Sequence, residues 1–178
     1  MFLNKVRKMQ NKKILIFIEK DFQDSEVVYP MYRLREEGAT VKLAGAGEKI
    51  YKGKFGMPLD VDGHIKDFNP KDFDAVIIPG GWAPDFMRRT PAFIEFVKRM
   101  NEQRKVIASI CHGGWILASA NIVKGKTVTS FFAIKDDIVN AGAKFVDKSV
   151  VVDGNLITSR KPDDLPDFCR EIIRKLEE

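Results

Sequence analysis

One short segment carries most of the reactive chemistry in this sequence. In VIASICHGGWILASA, residues 106–120, mostly apolar residues run into a cysteine, a histidine and two glycines, then into an apolar, helix-like segment. A cysteine at such a strand-to-helix turn has the arrangement of a nucleophile elbow, with its side chain held out at the sheet edge. Unpaired N–H groups at the start of a helix favour thiolate over thiol, and the thiolate is the reactive form. Cys111 is therefore expected to ionise below the ordinary thiol value of about 8.5 and to react faster than Cys169. His112 stands beside it as a proton carrier, and Gly113 permits the tight turn. Gly80 and Gly81 supply bare backbone N–H groups for a developing oxyanion. Without its neighbours, Cys111 would read as a small buried hydrophobe.

The elements that must position these residues follow from the hydrophobic pattern. KKILIFIE, TVKLAG, DAVIIPGG and KVIASI are short apolar runs, predicted as four buried strands. Between them, DSEVVYPMYRLREEG reads as a helix capped by Asp24 or Ser25 and stopped by Gly38, with Pro30 expected to kink it. TPAFIEFVKRMNEQ has Thr90 as cap and Pro91 in the first turn, with Phe93, Phe96, Val97 and Met100 at helical spacing. DDIVNAGAKF closes a helix at Gly142, SVVVDGNLITS reads as a hairpin about Asp153 and Gly154, and DDLPDFCREIIRKL is a last amphipathic helix. Alternation of this kind predicts an α/β fold, a doubly wound, mostly parallel sheet covered on both faces. Ligands then bind outside the carboxyl ends of the strands, where the segments from Glu19 to Glu26, at Gly80 and Gly81, and at Cys111 all open. Two carboxylates deserve separate mention. Glu26 in the first helical turn complements the helix dipole, and Asp85 after Pro84 reads as a helix cap.

These segments are also jointly similar to a known family. SICHGGWILASA, IIPGGWAPD, DFQDSEVVYPMYRLREEG, TSFFAIKDDIVNAGAKFVD and VVVDGNLITSRKPDDLP resemble the ThiJ/PfpI family, specifically its PfpI-type intracellular proteases, over nearly everything after Lys12. The resemblance implies a flavodoxin-like fold with Cys111 as nucleophile, His112 as its neighbouring base and Glu26 as a carboxyl group hydrogen-bonded to the sulfur. It further implies a homo-oligomer in which the acid that orients the histidine, here Asp85, comes from a neighbouring subunit. This chain departs from the pattern in having Asp85 where Glu is usual, Phe131 where Tyr is frequent, Gly114 where Pro is frequent, and a bulky Trp82.

Composition bounds the remainder. The 178 residues are 44% hydrophobic, enough for one domain with one core, read as residues 13–178 behind a basic extension, 1–12. The net charge of +5 is concentrated at the start, where Lys5, Arg7, Lys8, Lys12 and Lys13 meet no acid. The rest of the chain is balanced, which argues against a nucleic-acid groove. No apolar run approaches the roughly 18 residues of a membrane span, and two distant cysteines suit a reducing, cytoplasmic setting without a disulfide. His64 reads as a surface or hairpin residue. No metal-ligand spacing, phosphate loop or dinucleotide fingerprint is complete, so no cofactor is expected. Three functions remain open: a cysteine hydrolase of small peptides, a cofactor-free glyoxalase or deglycase acting on aldehydes such as methylglyoxal, and a redox sensor or holdase that oxidises Cys111 to a sulfinate. The crowding expected from Trp82 and the elbow favours small reactive carbonyls over folded polypeptides.

Overall fold

A computed structural model describes residues 9–178, so Lys5, Arg7 and Lys8 of the basic extension lie outside the described residues. Met9 is fully buried and its N–H donates to the Glu37 carbonyl, so the packed body begins upstream of the first strand.

The chain runs β1 (Lys13–Phe17), α1 (Asp24–Glu36), β2 (Thr40–Gly45), β3 (Ile50–Lys52), β4 (Pro58–Asp60), β5 (Gly63–His64) and β6 (Ala75–Ile78). It continues through α2 (Ala83–Arg88), α3 (Pro91–Glu102), β7 (Val106–Ile110), α4 (Gly114–Ser119), β8 (Thr127–Val128) and α5 (Lys135–Asn140). The last elements are β9 (Lys144–Phe145), β10 (Val150–Asp153), β11 (Leu156–Ser159) and α6 (Leu165–Glu177). Seven strands form the main sheet in the order β10-β11-β7-β6-β1-β2-β5. All neighbours are parallel except β10, which turns back on β11 through the predicted hairpin at Asp153 and Gly154. The four predicted strands are β1, β2, β6 and β7.

β6 and β7 are buried throughout and β1 nearly so, as expected of parallel strands covered on both faces. Phe17 anchors this core edge-on against Phe93 and Phe96, the helical-spacing residues of α3. From β1 the chain winds outward through β2, and from β6 it winds the other way through β7 and β11. The switch therefore falls between β1 and β6, the position at which doubly wound sheets open a crevice at the carboxyl ends. An isolated bridge from Phe22 to Gly81 spans it.

Several local expectations change in the structure. Gln23, not Asp24 or Ser25, precedes α1, and the Asp24 carboxylate instead accepts from the Phe55 and Met57 N–H groups at 2.9 and 3.0 Å. The β3–β4 hairpin is thereby clamped to α1, and Gly53 must lack a side chain, because a Cβ there would sit 2.5 Å from the Asp24 carboxyl. Pro30 lies inside α1 without ending it, and its missing N–H leaves the Glu26 carbonyl without its usual helical donor. Gly38 stops the helix at φ +98°, as its position suggests. Thr90 stands at the cap of α3, but its hydroxyl makes no capping bond. The imidazole of His64 serves locally, accepting from the Lys66 N–H.

Removing the clamp should show in the hairpin alone. Asp24→Ala is expected to cost about 1–3 kcal/mol and to raise amide exchange at Phe55 and Met57 selectively. Unchanged protection of those two amides would mean that the carboxylate does not hold the hairpin.

Candidate active site

Cys111 follows the last residue of β7 and occupies the left-handed region at φ +59°, a conformation a non-glycine residue holds only under constraint. The constraint comes from the turn after it. Gly113 lies so close to β6 that a Cβ would meet the Ile78 carbonyl oxygen at 2.5 Å and Ser109 Oγ at 2.9 Å. The Phe131 N–H donates to the Cys111 carbonyl and fixes the elbow from the far side. Cys111 is buried but retains 8% exposure, whereas Cys169 on α6 is 1% exposed and sealed in the core. Both thiols are free.

Glu26 reaches the sulfur from α1. Its Oε2 accepts from the Gly80 N–H at 2.6 Å, while Oε1 is buried with no hydrogen-bond partner among the described residues. Gly80 makes the approach possible: a Cβ there would lie 2.6 Å from Cys111 Cβ, 2.7 Å from Glu26 Oε2 and 2.8 Å from Cys111 Sγ. Burial pushes the Glu26 carboxyl up to about 7. Burial, then the facing Glu26, push the Cys111 thiol up to about 12, against the lowering effect of the Gly81 and His112 backbone N–H groups. The expected easy ionisation of Cys111 is thus reversed. The helix behind the elbow is a single six-residue segment with little dipole, and a carboxyl faces the sulfur. Two like charges in one crevice disfavour each other, so the thiolate forms readily only while Glu26 holds a proton. The unpartnered Oε1 is the oxygen available to carry that proton.

His112 is half-buried, with Nδ1 3.3 Å from Cys111 Sγ. Its ring lies among Trp115 at 5.1 Å, Phe131 at 5.1 Å and Trp82 at 5.8 Å between centroids. Burial, and then the charge of Lys54, hold the imidazole below its ordinary value, so it is neutral and able to accept a proton near neutral pH. Lys54 sits in the clamped hairpin and also favours the ionised form of Glu26. The sequence signal for this segment is the glycine pair of YKGKFGMP between two short extended runs, a hairpin pattern outside the four expected strands.

The other candidates divide. Gly80 lines the crevice, but its N–H is committed to Glu26, and it is the Gly81 and His112 N–H groups that donate to the sulfur. Gly81, at φ +71°, packs against the Asp21 carbonyl. Asp85 is not the cap of α2. Trp82 precedes that helix, and the Asp85 carboxylate pairs with Arg89 one turn on. No hydrogen bond links Asp85 to His112 among the described residues of one chain.

The arrangement of strained cysteine, adjacent histidine and buried glutamate at the β6–β7 edge coincides with a sequence match to the DJ-1/PfpI family over residues 12–175. The chain belongs to the DJ-1/PfpI family. Among its relatives, Deglycase PfpI of Pyrococcus furiosus is 42% identical over 164 residues, covering 92% of this chain and 99% of that one. The putative cysteine protease YraA of Bacillus subtilis is 39% identical over 168 residues, covering 93% and 99%. The crystal structure of Drosophila melanogaster DJ-1beta matches the DJ-1/PfpI fold seen here with a TM-score of 0.88 at 29% identity, covering 94% of this chain and 91% of that one.

The raised carboxyl has a consequence for stability. An unfolded Glu26 loses its proton around its ordinary 4.5, while the folded one keeps it to about 7, so stability falls as pH rises through that window. The loss is on the order of 3 kcal/mol. Glu26→Gln keeps the bond to Gly80 without the charge. Its melting temperature should match wild type near pH 4 and exceed it increasingly up to about pH 8. A constant gap across that range would show that Glu26 does not titrate as a buried acid.

Proposed function

We propose that this chain is a cysteine-nucleophile enzyme acting on reactive carbonyls, of the glyoxalase or deglycase type. The observation that carries the reading is the three-residue cluster: a constrained Cys111 with a neutral His112 at 3.3 Å and a Glu26 able to hold a proton beside the sulfur. The names of the archaeal relatives as deglycases support it.

For a 2-oxoaldehyde the chemistry runs as follows. Sγ bonds to the aldehyde carbon as the C=O π bond opens, and the thiol proton, passed through His112 or Glu26, ends on the new oxygen to give a hemithioacetal. His112 then takes the proton from the carbon bearing sulfur, and the resulting enediol is reprotonated at the neighbouring carbon, leaving a thioester. Water cleaves the thioester, freeing a 2-hydroxy acid and restoring the thiol. The sum is addition of one water with internal redistribution of hydrogen, so no external oxidant or reductant is required. The Gly81 and His112 N–H groups, which donate to the sulfur in the free site, are the donors placed to stabilise the oxygen that gains charge. A carbonyl already attached to an amine would enter by the same first step.

Peptide hydrolysis is the second reading, supported by the name of the Bacillus relative. It asks more of His112, which would have to be oriented as a base by an acid. We place that acid at Asp85 of a neighbouring copy in a homo-oligomer. Exposed Tyr32, Phe55 and Met57, on α1 and the hairpin clamped to it, support an assembly of this kind. The two free thiols suit the reducing cytoplasm.

Parallel assays of one preparation on methylglyoxal and on short fluorogenic peptides separate the readings. Cys111→Ala should abolish methylglyoxal turnover, and His112→Ala should reduce it by roughly 10²- to 10⁴-fold. Peptide cleavage that tracks Cys111 while methylglyoxal is untouched would replace the carbonyl reading with the peptidase one.

Assembly has its own test. Cys111→Ala and Asp85→Ala oligomers should each be weak, and a co-refolded mixture should recover roughly a quarter of the sites if Asp85 acts across a symmetric interface. No recovery, with mixed oligomers verified by mass, would confine the site to one chain.

A further inference from the structure

The segment after β8 borders a cavity of about 620 Å³, within the range of small-molecule sites. Its apolar wall is made by Phe131, Phe132 and Phe145, and Lys135, Arg160 and Lys161 stand among them. The wall is shared with the active site. Phe131, which lines this cavity, also places its ring 5.1 Å from His112 and donates its N–H to the Cys111 carbonyl. The Phe132 ring leans on Phe131 in a tilted contact at 4.8 Å and is nevertheless 74% exposed, an apolar surface left facing solvent beside the cavity.

The charges are not equivalent. Arg160 is held between Asp147, at 2.7 Å, and Asp164, at 2.9 and 3.1 Å, so it contributes little net field. Lys161 pairs with Asp163 at 2.9 Å. Lys135 has no carboxylate within ion-pair distance among the described residues, and its ammonium lies 5.7 Å from the centre of the Phe145 ring. One free cation thus sits over an apolar surface.

We propose that this cavity is the second half of the substrate site, taking an aromatic or branched apolar group that bears a single carboxylate, with the carboxylate on Lys135. This rests on the reading that Cys111 attacks a carbonyl, and it names the class of molecule that carries that carbonyl. A phosphate dianion fits less well. Lys135 offers a point charge without the fork of a free guanidinium, and the Asp147 carboxylate in the same wall repels a second negative charge. Methylglyoxal carries neither an aromatic group nor a carboxylate, so it reports the chemical step alone.

The test compares kcat/KM for methylglyoxal, phenylglyoxal and 4-carboxyphenylglyoxal in the intact protein. The carboxylated compound should exceed phenylglyoxal by roughly three- to five-fold, the effect of a partly exposed ion pair. That ratio should fall to about one in Lys135→Met and return in Lys135→Arg; because it is taken within each variant, partial loss of folded protein cancels. A separate binding measurement uses unreactive phenylacetate and phenylphosphate on Cys111→Ala, with and without Lys135→Met. Phenylacetate should bind and should weaken by a similar factor when Lys135 is lost. If no carbonyl compound is turned over and phenylacetate still binds through Lys135, the carbonyl reading fails and the cavity stands. If carbonyls are turned over with a ratio near one and phenylacetate binding ignores Lys135, the cavity proposal is overturned and the carbonyl reading stands. Tighter binding of phenylphosphate would overturn the single-carboxylate assignment.

Discussion

Everything at this site depends on one close contact, the approach of the Glu26 carboxyl to the Cys111 thiol across Gly80. Three strand-end segments meet there with no room for a single added carbon. A methyl group at residue 80 would part the acid from the sulfur, and a second charge would set them against each other. The crevice therefore permits one negative charge and one mobile proton. It obtains reactivity by choosing where that proton resides, since burial raises the affinity of both groups for it.

The fold makes such a contact affordable in structural terms because its components come from separate, well-anchored elements. Glu26 rides on a helix packed over the sheet, Gly80 follows a fully buried strand, and Cys111 follows the strand beside it. The parallel register of β1, β6 and β7 brings the three ends together without any of them having to bend toward the others. Cys111 adopts a left-handed conformation, held by packing of Gly113 on β6 and by the bond from Phe131. Such strain persists only where the surroundings over-determine it.

Much of this was legible in the residues. The apolar runs marked the four central strands, the glycines marked the turns, and CHGG marked the elbow. Less visible were the features that depend on where a side chain ends rather than where it begins. Asp24 read as a cap because caps are carboxylates before helices, yet it reaches sideways to a hairpin thirty residues on. The thiol titration was misread for a related reason. A helix start can be seen in the sequence, but the length of the helix, the depth of burial and the facing acid are products of tertiary structure, and together they outweigh a short dipole. Lys54 and the aromatic cage of His112 come from four separate segments, which no local pattern connects.

Asp24 and Glu26 occupy the same first turn of α1, two residues apart, and point to different tasks. One carboxylate grips the hairpin from outside, and the other faces the sulfur within. Hairpin and buried acid are thus fixed to a single mount. Any body that pushes the hairpin outward must break its bonds to Asp24 and its backbone bonds to Asp21 and Phe22, or pull the helical turn with it. The missing amide at Pro30 weakens that turn at the Glu26 carbonyl. The rim of the crevice and its proton are mechanically joined through one helical turn.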